Sequence, residues 1–373
     1  MKLINAKILG SDFKFFKGGI EISDDKKIVN VCENLAYSDD ELVVDCDGFT
    51  IVPGFIDIHI HGSVGRDTCD GTRESLSEMA EYLLSNGITS FCPTTMTVDV
   101  DTIKNALAVA KDCMDNPPDG AAILGVNMEG PFISPAKKGA QNEKFVIKPD
   151  IDLFKSLQKE YDGIVKLVDI APEEDENMKF VCEAKELATL SIAHTSTDYD
   201  TAKASFDAGI THATHLFNAM TGFNHREPGV VGAVFEDERV YAELICDGKH
   251  VHPSVVKTVF NLMGDRICVI SDALMLSGMP EGTEGELGKL PVRIREGRCE
   301  LEDGTIAGSI SNLHEELINL VSWGIPLEKA VKAMTINPAR QVGCDDIVGS
   351  IEKGKRADLV ILDDDLNIVG VYH

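Results

Sequence analysis

Ser85-Asn86-Gly87-Ile88-Thr89 joins a helical pattern over residues 74–86 to an apolar run over 88–93, and Asp207-Ala208-Gly209-Ile210-Thr211 repeats that construction further along the chain. In both, a glycine stands just past the helix and a β-branched pair follows it. Glycine accepts the left-handed backbone that ends a helix, so each segment reads as an αβ junction. Two short matches establish no duplication, but they suit a fold assembled from βα units.

Working outward, β-branched runs fall at 55–60, 88–93, 122–128, 164–170, 189–193, 210–214, 240–246 and 267–271. Helical patterns lie between them at 74–86, 100–114, 151–161, 175–187, 198–208 and 254–264. Eight such strands with intervening helices predict an α/β fold, a (β/α)8 TIM-like barrel. Residues 1–52 read instead as short alternating strands with turns at Gly18-Gly19, Asp24-Asp25 and Asp47-Gly48, and the tail is similar, with an apolar strand over 358–362. Chain ends often lie close together, so residues 1–52 and 346–373 are expected to pair into one small β-sandwich domain on a barrel of residues 53–345. Helices over 312–323 and 327–334 would carry the chain back from the barrel. A length of 373 residues suits a barrel with an appendage.

The 62 acidic residues outnumber 35 basic ones, for a net charge of −27 with His neutral. Phosphate backbones and anionic lipid would repel such a chain, which argues against nucleic acid and membrane surfaces as partners. It also warns against an anionic substrate. No apolar stretch approaches the roughly 18 residues of a membrane helix. Residues 1–10 lack the basic start, apolar middle and small-residue cleavage site of a secretory signal, so a cytoplasmic protein is expected. None of the ten cysteines forms a Cys-x-x-Cys pair. Cys92, Cys246 and Cys268 sit in apolar runs, as buried thiols of a reducing compartment do.

In α/β barrels the working groups gather at the C-terminal strand ends. Here those ends carry His59-Ile60-His61, Glu129, His194, His215, Asp247 with His250, and Asp272. Two histidines separated by one residue in an extended segment point to the same face and can bind one metal. Alone the pair is weak, because surface pairs are common. With Glu129, His194 and His215 at matching ends of other strands, it predicts a divalent metal site. Glu129 also reads as a helix-capping carboxylate near Pro131; between two metals it would bridge them, and no lysine at a strand end offers to do so. Asp272 could be an ordinary helix cap. In a metal hydrolase it would take a proton from the attacking water and later give it to the leaving group.

These residues carry a resemblance. His59-x-His61, Met128-Glu129-Gly130-Pro131-Phe132, Lys137-Lys138-Gly139-Ala140, Thr214-His215-Leu216-Phe217-Asn218-Ala219-Met220, Arg226-Glu227-Pro228-Gly229, Asp247-Gly248-x-His250 and Ser271-Asp272-Ala273 together resemble the amino-sugar-phosphate deacetylases of the amidohydrolase superfamily. The likeness runs over essentially the whole chain. Its specific part is the stretch from Thr214 to Gly229, while the His-x-His and the ending from Gly349 to Val360 are similar to the superfamily at large.

The resemblance implies a cytoplasmic homodimer that hydrolyses the acetamide of N-acetyl-D-glucosamine 6-phosphate, with the N-acetylgalactosamine epimer, another acyl amine or a non-catalytic scaffold as alternatives. It implies Glu129, His194 and His215 as ligands of a first metal, His59 and His61 as ligands of a second, and Asp272 as the acid/base. One or two divalent ions per subunit, Zn, Fe, Mn or Co, would serve. Asn218, Ala219, Arg226 and His250 match sugar-phosphate contacts, Arg226 reaching across a dimer interface, and Ile306, Ala307 and Gly308 fall on a substrate-lining loop. After Ala140 the family usually places a histidine that polarises the acetyl carbonyl. This chain has Gln141, which can donate a hydrogen bond but carries no protonic charge.

Overall fold

Short runs of Val, Ile and Leu, joined for the most part by helices, build the barrel. The computed structural model describes residues 1–38 and 40–373. The barrel strands are β1 (Phe55–Ile60), β2 (Ile88–Thr95), β3 (Val126–Met128), β4 (Val165–Ile170), β5 (Thr189–Ile192), β6 (His212–Ala213), β7 (Tyr241–Leu244) and β8 (Ile267–Val269). Each pairs in parallel with the next. Closure comes at the C-terminal rim, where Asp272 N–H donates to His59 O at 2.9 Å and His61 N–H to Ala273 O at 2.9 Å. Those two bonds place the end of the first strand beside the end of the eighth.

Both αβ junctions fall where the sequence puts them. Gly87 has φ +77° and Gly209 φ +144°, after helices Arg73–Ser85 and Tyr199–Ala208. Three expectations need correction. The 122–128 run is split into Ala122–Ile123 and Val126–Met128; a Cβ on Gly125, between them, would lie 2.8 Å from Ile164 O. The helix expected over 175–187 is regular only over Lys179–Ala184. Its start is delayed because the Asp175 carboxylate accepts from Phe180 N–H at 2.9 Å and Val181 N–H at 3.0 Å. Gly18 and Gly19 form no turn but lie inside strand Phe15–Ile22, where a Gly18 Cβ would sit 2.5 Å from Cys32 O. Small size there permits close strand approach.

The two chain ends do meet, in one continuous mixed sheet ordered Ile368–Tyr372, Leu359–Leu362, Thr50–Pro53, Lys2–Leu9, Phe15–Ile22, Ile28–Cys32, with Val43–Asp45 beside Lys2–Leu9. Leu3, Ile8, Ile20, Ile51 and Leu359 form its core. Arg356 fastens it to the barrel: Nε donates to Asp358 Oδ1 at 2.7 Å, and Nη2 reaches Ser90 Oγ on β2 at 2.5 Å. The sequence reading missed helix Gly229–Glu236 and a three-stranded antiparallel sheet, Glu284–Leu287, Leu290–Arg295 and Arg298–Leu301, inserted after β8. Among the described residues, no helix is long and apolar enough to cross a membrane.

Candidate metal centre and active site

The rim places five side chains from four strand ends around Glu129. Its Oε1 lies 3.0 Å from His194 Nε2, 3.1 Å from His215 Nε2 and 3.6 Å from His59 Nε2; its Oε2 lies 3.2 Å from His61 Nε2. Asp272 Oδ1 closes the other side, 3.4 Å from His61 Nε2 and 3.6 Å from His59 Nε2. All six residues are buried. Two groups, His59–His61–Glu129 and Glu129–His194–His215, each bring three ligand atoms within 4.8 Å of one another, and they share Glu129.

Backbone strain helps aim these groups. His194, His215 and Asp272 have φ of +43°, +31° and +47°. The left-handed region costs a non-glycine residue on the order of 1–3 kcal/mol and is tolerated where the surroundings over-determine it, as at functional sites. Gly130 has φ +81°, and a Cβ there would fall 2.0 Å from Thr97 Oγ1, so only glycine lets Glu129 turn in beside β2.

Do these residues fit a metal? Three imidazoles have Nδ1 at a fixed acceptor: His61 at Thr94 O (3.2 Å), His194 at Lys137 O (2.9 Å) and His59 at Glu243 Oε2 (2.8 Å). In the neutral ring that bond puts the proton on Nδ1 and leaves the Nε2 lone pair free. All these Nε2 atoms turn toward Glu129. His59 Nε2 is buried without any hydrogen-bond partner. Convergent lone pairs, oriented from behind and joined by a carboxylate, are the donor set of a divalent cation.

The electrostatics agree. Burial alone would raise the Glu129 carboxyl, yet the His194, His215 and His61 imidazoles hold it well below the usual range. Burial likewise disfavours protonated His61, but Asp272 and Glu129 push it up to about 10. His59 is raised well above its ordinary value, against burial, by Glu243, Asp272 and Glu129. Asp272 is burial-raised but lowered further by His61 and His59. The cage thus favours positive charge at its centre.

A pocket of about 230 Å³ opens onto this cage, and Ala140, Gln141, Asn218, Ala219, His250, Ile306 and Gly308 line it. Ala307 is buried and does not line it. The sequence reading missed Met96, Leu274, Leu287 and Thr305, which also line it; Leu287 comes from the inserted sheet. Asp247 sets His250, its Oδ2 lying 2.8 Å from His250 Nδ1. Arg226 is the exception: it is exposed and lines a separate surface hollow of about 680 Å³ with Lys137, Tyr199 and Asn224.

Gln141 is buried. Its Oε1 accepts Thr97 N–H at 2.8 Å, which fixes the amide so that Nε2 donates to Glu129 Oε2. Behind the rim stand two ionisable residues that the sequence reading passed over, Glu243 on β7 and His212 on β6. Their signal was a charged or imidazole side chain inside an otherwise apolar run.

The sequence profile of the amidohydrolase family matches residues 50–372. An N-acetylglucosamine-6-phosphate deacetylase of Bacillus subtilis is 37% identical over 330 residues, 86% of this chain and 82% of its own. An N-acetylgalactosamine-6-phosphate deacetylase of Escherichia coli O157:H7 is 33% identical, covering 88% of each. The crystal structure of the N-acetylglucosamine-6-phosphate deacetylase of Thermotoga maritima superposes with a TM-score of 0.89 at 32% identity, over 100% of this chain and 98% of that one. For a Mycobacterium smegmatis variant in complex with N-acetyl-D-glucosamine-6-phosphate the TM-score is 0.92 at 29% identity, over 100% of this chain and 97% of that one. Barrel, rim and sequence together place this chain in the amidohydrolase family.

Proposed function

We propose that this chain hydrolyses the acetamide of N-acetyl-D-glucosamine 6-phosphate to D-glucosamine 6-phosphate and acetate. The observation that carries the reading is the sharing of Glu129 between two histidine pairs, with the Asp272 carboxylate facing the same point. Two of the relatives above take that substrate in their names, and the full-length match brings it to this chain.

Glu129, His194 and His215 would hold one ion, and His59, His61 and Glu129 a second; imidazole and carboxylate suit Zn, Fe, Mn or Co. When bound, such an ion polarises the acetyl carbonyl and lowers the pKa of the attacking water. Asp272 accepts that water's proton as the new C–O bond forms, then returns it to the amine as the C–N bond breaks. Its Oδ1 is buried among the imidazoles, so the carboxylate starts ionised and ready to accept. Gln141, pinned by Thr97, donates its amide to Glu129 Oε2 here; with that carboxylate engaged by the ions, the amide would be free to donate to the carbonyl oxygen instead. Asn218, Ala219 and His250 position the sugar phosphate, with Ile306 and Gly308 across from them.

Arg226 lies outside its own pocket, and Phe223, three residues earlier in the chain, is exposed. This supports a homodimer in which Arg226 serves the phosphate in the partner's pocket. Barrel residues 53–345 would then carry the chemistry, and 1–52 with 346–373 the supporting β domain. All ten cysteines are free, which suits the cytoplasm. A deacetylation panel tests the reading: metal-loaded protein against N-acetylglucosamine and N-acetylgalactosamine, each with and without 6-phosphate. Fastest turnover of N-acetylglucosamine 6-phosphate is expected; preference for the galacto epimer would reassign the substrate, and indifference to the phosphate would remove Arg226 and His250 from its recognition.

A further inference from the structure

His59 is held differently from the other oriented imidazoles. His61 and His194 rest on main-chain oxygens, Thr94 O and Lys137 O, which no substitution removes. His59 rests on a side chain: Glu243 Oε2 lies 2.8 Å from its Nδ1. The same oxygen accepts His215 N–H at 3.1 Å. The other carboxylate oxygen, Oε1, faces His212 Nε2 at 3.3 Å, and His212 Nδ1 faces Gln341 Oε1 at 3.0 Å. Glu243, His212 and His59 are fully buried. The result is a line of side chains from Gln341, at the end of helix Ile336–Gln341, through the barrel interior to one imidazole of the rim.

The line has a chemical consequence. A carboxylate only accepts, so in the neutral ring that would take an ion the hydrogen on His59 sits on Nδ1 and Nε2 is a free lone pair. Without this partner, His59 could carry its hydrogen on Nε2 or rotate, and either change removes one donor from the His59–His61–Glu129 group. Substitution also takes the acceptor from His215 N–H, but the Glu129–His194–His215 group keeps its donors: Leu216 N–H to Glu243 O at 2.9 Å is a main-chain bond that survives substitution and holds the segment in place.

We infer that Glu243, supported by His212 and Gln341, is a positioning residue that governs whether the second metal position, at His59 and His61, is filled. The inference rests on the metal reading of the site and extends it to a residue that touches neither metal nor substrate. Outer partners of ligating histidines are worth about 10–100-fold in metal affinity. Only one of the two positions should feel that change.

The experiment is zinc binding by the full-length chain, with stoichiometry from elemental analysis and affinities from chelator competition using Zn2+ alone. Wild-type protein is expected to hold two ions. Glu243→Leu is expected to weaken one of them about 100-fold and leave the other unchanged. Glu243→Gln keeps an oxygen for His59 and His215 and offers N–H to His212; having lost only the charge, it is expected to weaken the same ion about tenfold. If the leucine variant does not fold, the glutamine variant decides. Two ions bound with unchanged affinity in the variant would overturn the inference, and so would equal weakening of both ions, which marks a merely structural role. Wild-type protein that binds no zinc would instead overturn the metal reading beneath it.

Discussion

Asp272→Asn separates proton transfer from everything else the residue does. The exchange preserves shape, so the main-chain bonds from Asp272 N–H to His59 O (2.9 Å) and from Ser309 N–H to Asp272 O (2.7 Å) remain. Asparagine is among the few residues that accept φ near the +47° found here, so backbone strain is not increased. Alanine would be a poorer probe, since it has no side-chain group to hold that conformation. What the amide cannot do is take the proton of the attacking water or return it to the amine. General acid–base groups contribute about 10²–10⁴ in rate, or about 2.7–5.4 kcal/mol of barrier at 1.36 kcal/mol per decade. The variant should therefore lose at least 10²-fold in kcat for acetate release. KM, zinc content and melting temperature should stay near wild type. Retention of a tenth or more of kcat would refute the assignment of Asp272 as proton carrier. Loss of zinc together with activity would refute the argument that it is not needed to hold the metal.

Gln141→Ala should lower kcat by about 10²–10³ at constant metal content if the amide stabilises the developing oxyanion, with Gln141→His falling less far; equal activity in all three forms would leave the residue a packing role only. Arg226→Ala should raise KM for the phosphorylated substrate by about 10–100-fold, the worth of a charge-assisted hydrogen bond, without affecting the plain sugar. Mixing it with Asp272→Asn should regenerate activity in hybrid dimers, and a mixture no better than its components would place Arg226 in its own subunit's pocket. Arg356→Met leaves buried Asp358 with only His373 Nδ1, at 3.3 Å, beside it, and denaturant midpoints should report about 3 kcal/mol lost at neutral pH, the low end for a broken buried pair because Arg356 is partly exposed and His373 remains. Burial raises the Asp358 carboxyl, but His373 and Arg356 bring it below its ordinary value. Its stabilisation is then complete above the unfolded carboxyl's pKa of about 4 and fades as pH falls through the lower folded value. The gap between wild type and variant should shrink in that acid range.

What could be read without coordinates was whatever a short segment decides by itself. Glycine after a helix and β-branched residues after glycine are local statements, and both junctions stood where expected. The rim ligands were equally visible because each ends its strand. Gly18-Gly19 misled for the opposite reason: its meaning lies in the strand that packs on it, 14 residues away in sequence at Cys32. Arg226 could be recognised by pattern but not placed, since nothing local to its segment says that it faces a surface hollow rather than the pocket. The charge of −27 misled as well, because screening over about 8 Å at physiological salt lets a pocket feel its neighbours rather than the total. His250 in the wall and Arg226 from a partner could make one positive rim on an acidic surface.

The deepest layer of the site lies within the strands rather than at their ends, so strand ends alone do not reveal it. Barrel interiors are usually filled by Val, Ile and Leu. Here Asp57 on β1, Asn127 on β3, Asp169 on β4, Ser191 on β5, His212 on β6 and Glu243 on β7 are all fully buried. All but His212, which follows Thr211, stand between apolar neighbours, as in Ile56-Asp57-Ile58 and Ala242-Glu243-Leu244. Strand period two sends such a residue to the face opposite its neighbours, so the alternation marks inward polar positions even where every residue of the strand is buried. Isolated polar groups at that depth would be costly. They persist because several hold one another: Thr214 Oγ1 donates to Asp169 at 2.7 Å and lies 2.6 Å from Ser191 Oγ, and Glu243 lies between His59 and His212. A polar layer beneath the rim gives up part of the stability that an apolar barrel core would supply. What it gains is direction, since a ligand such as His59 can be aimed from behind only by a group already buried there.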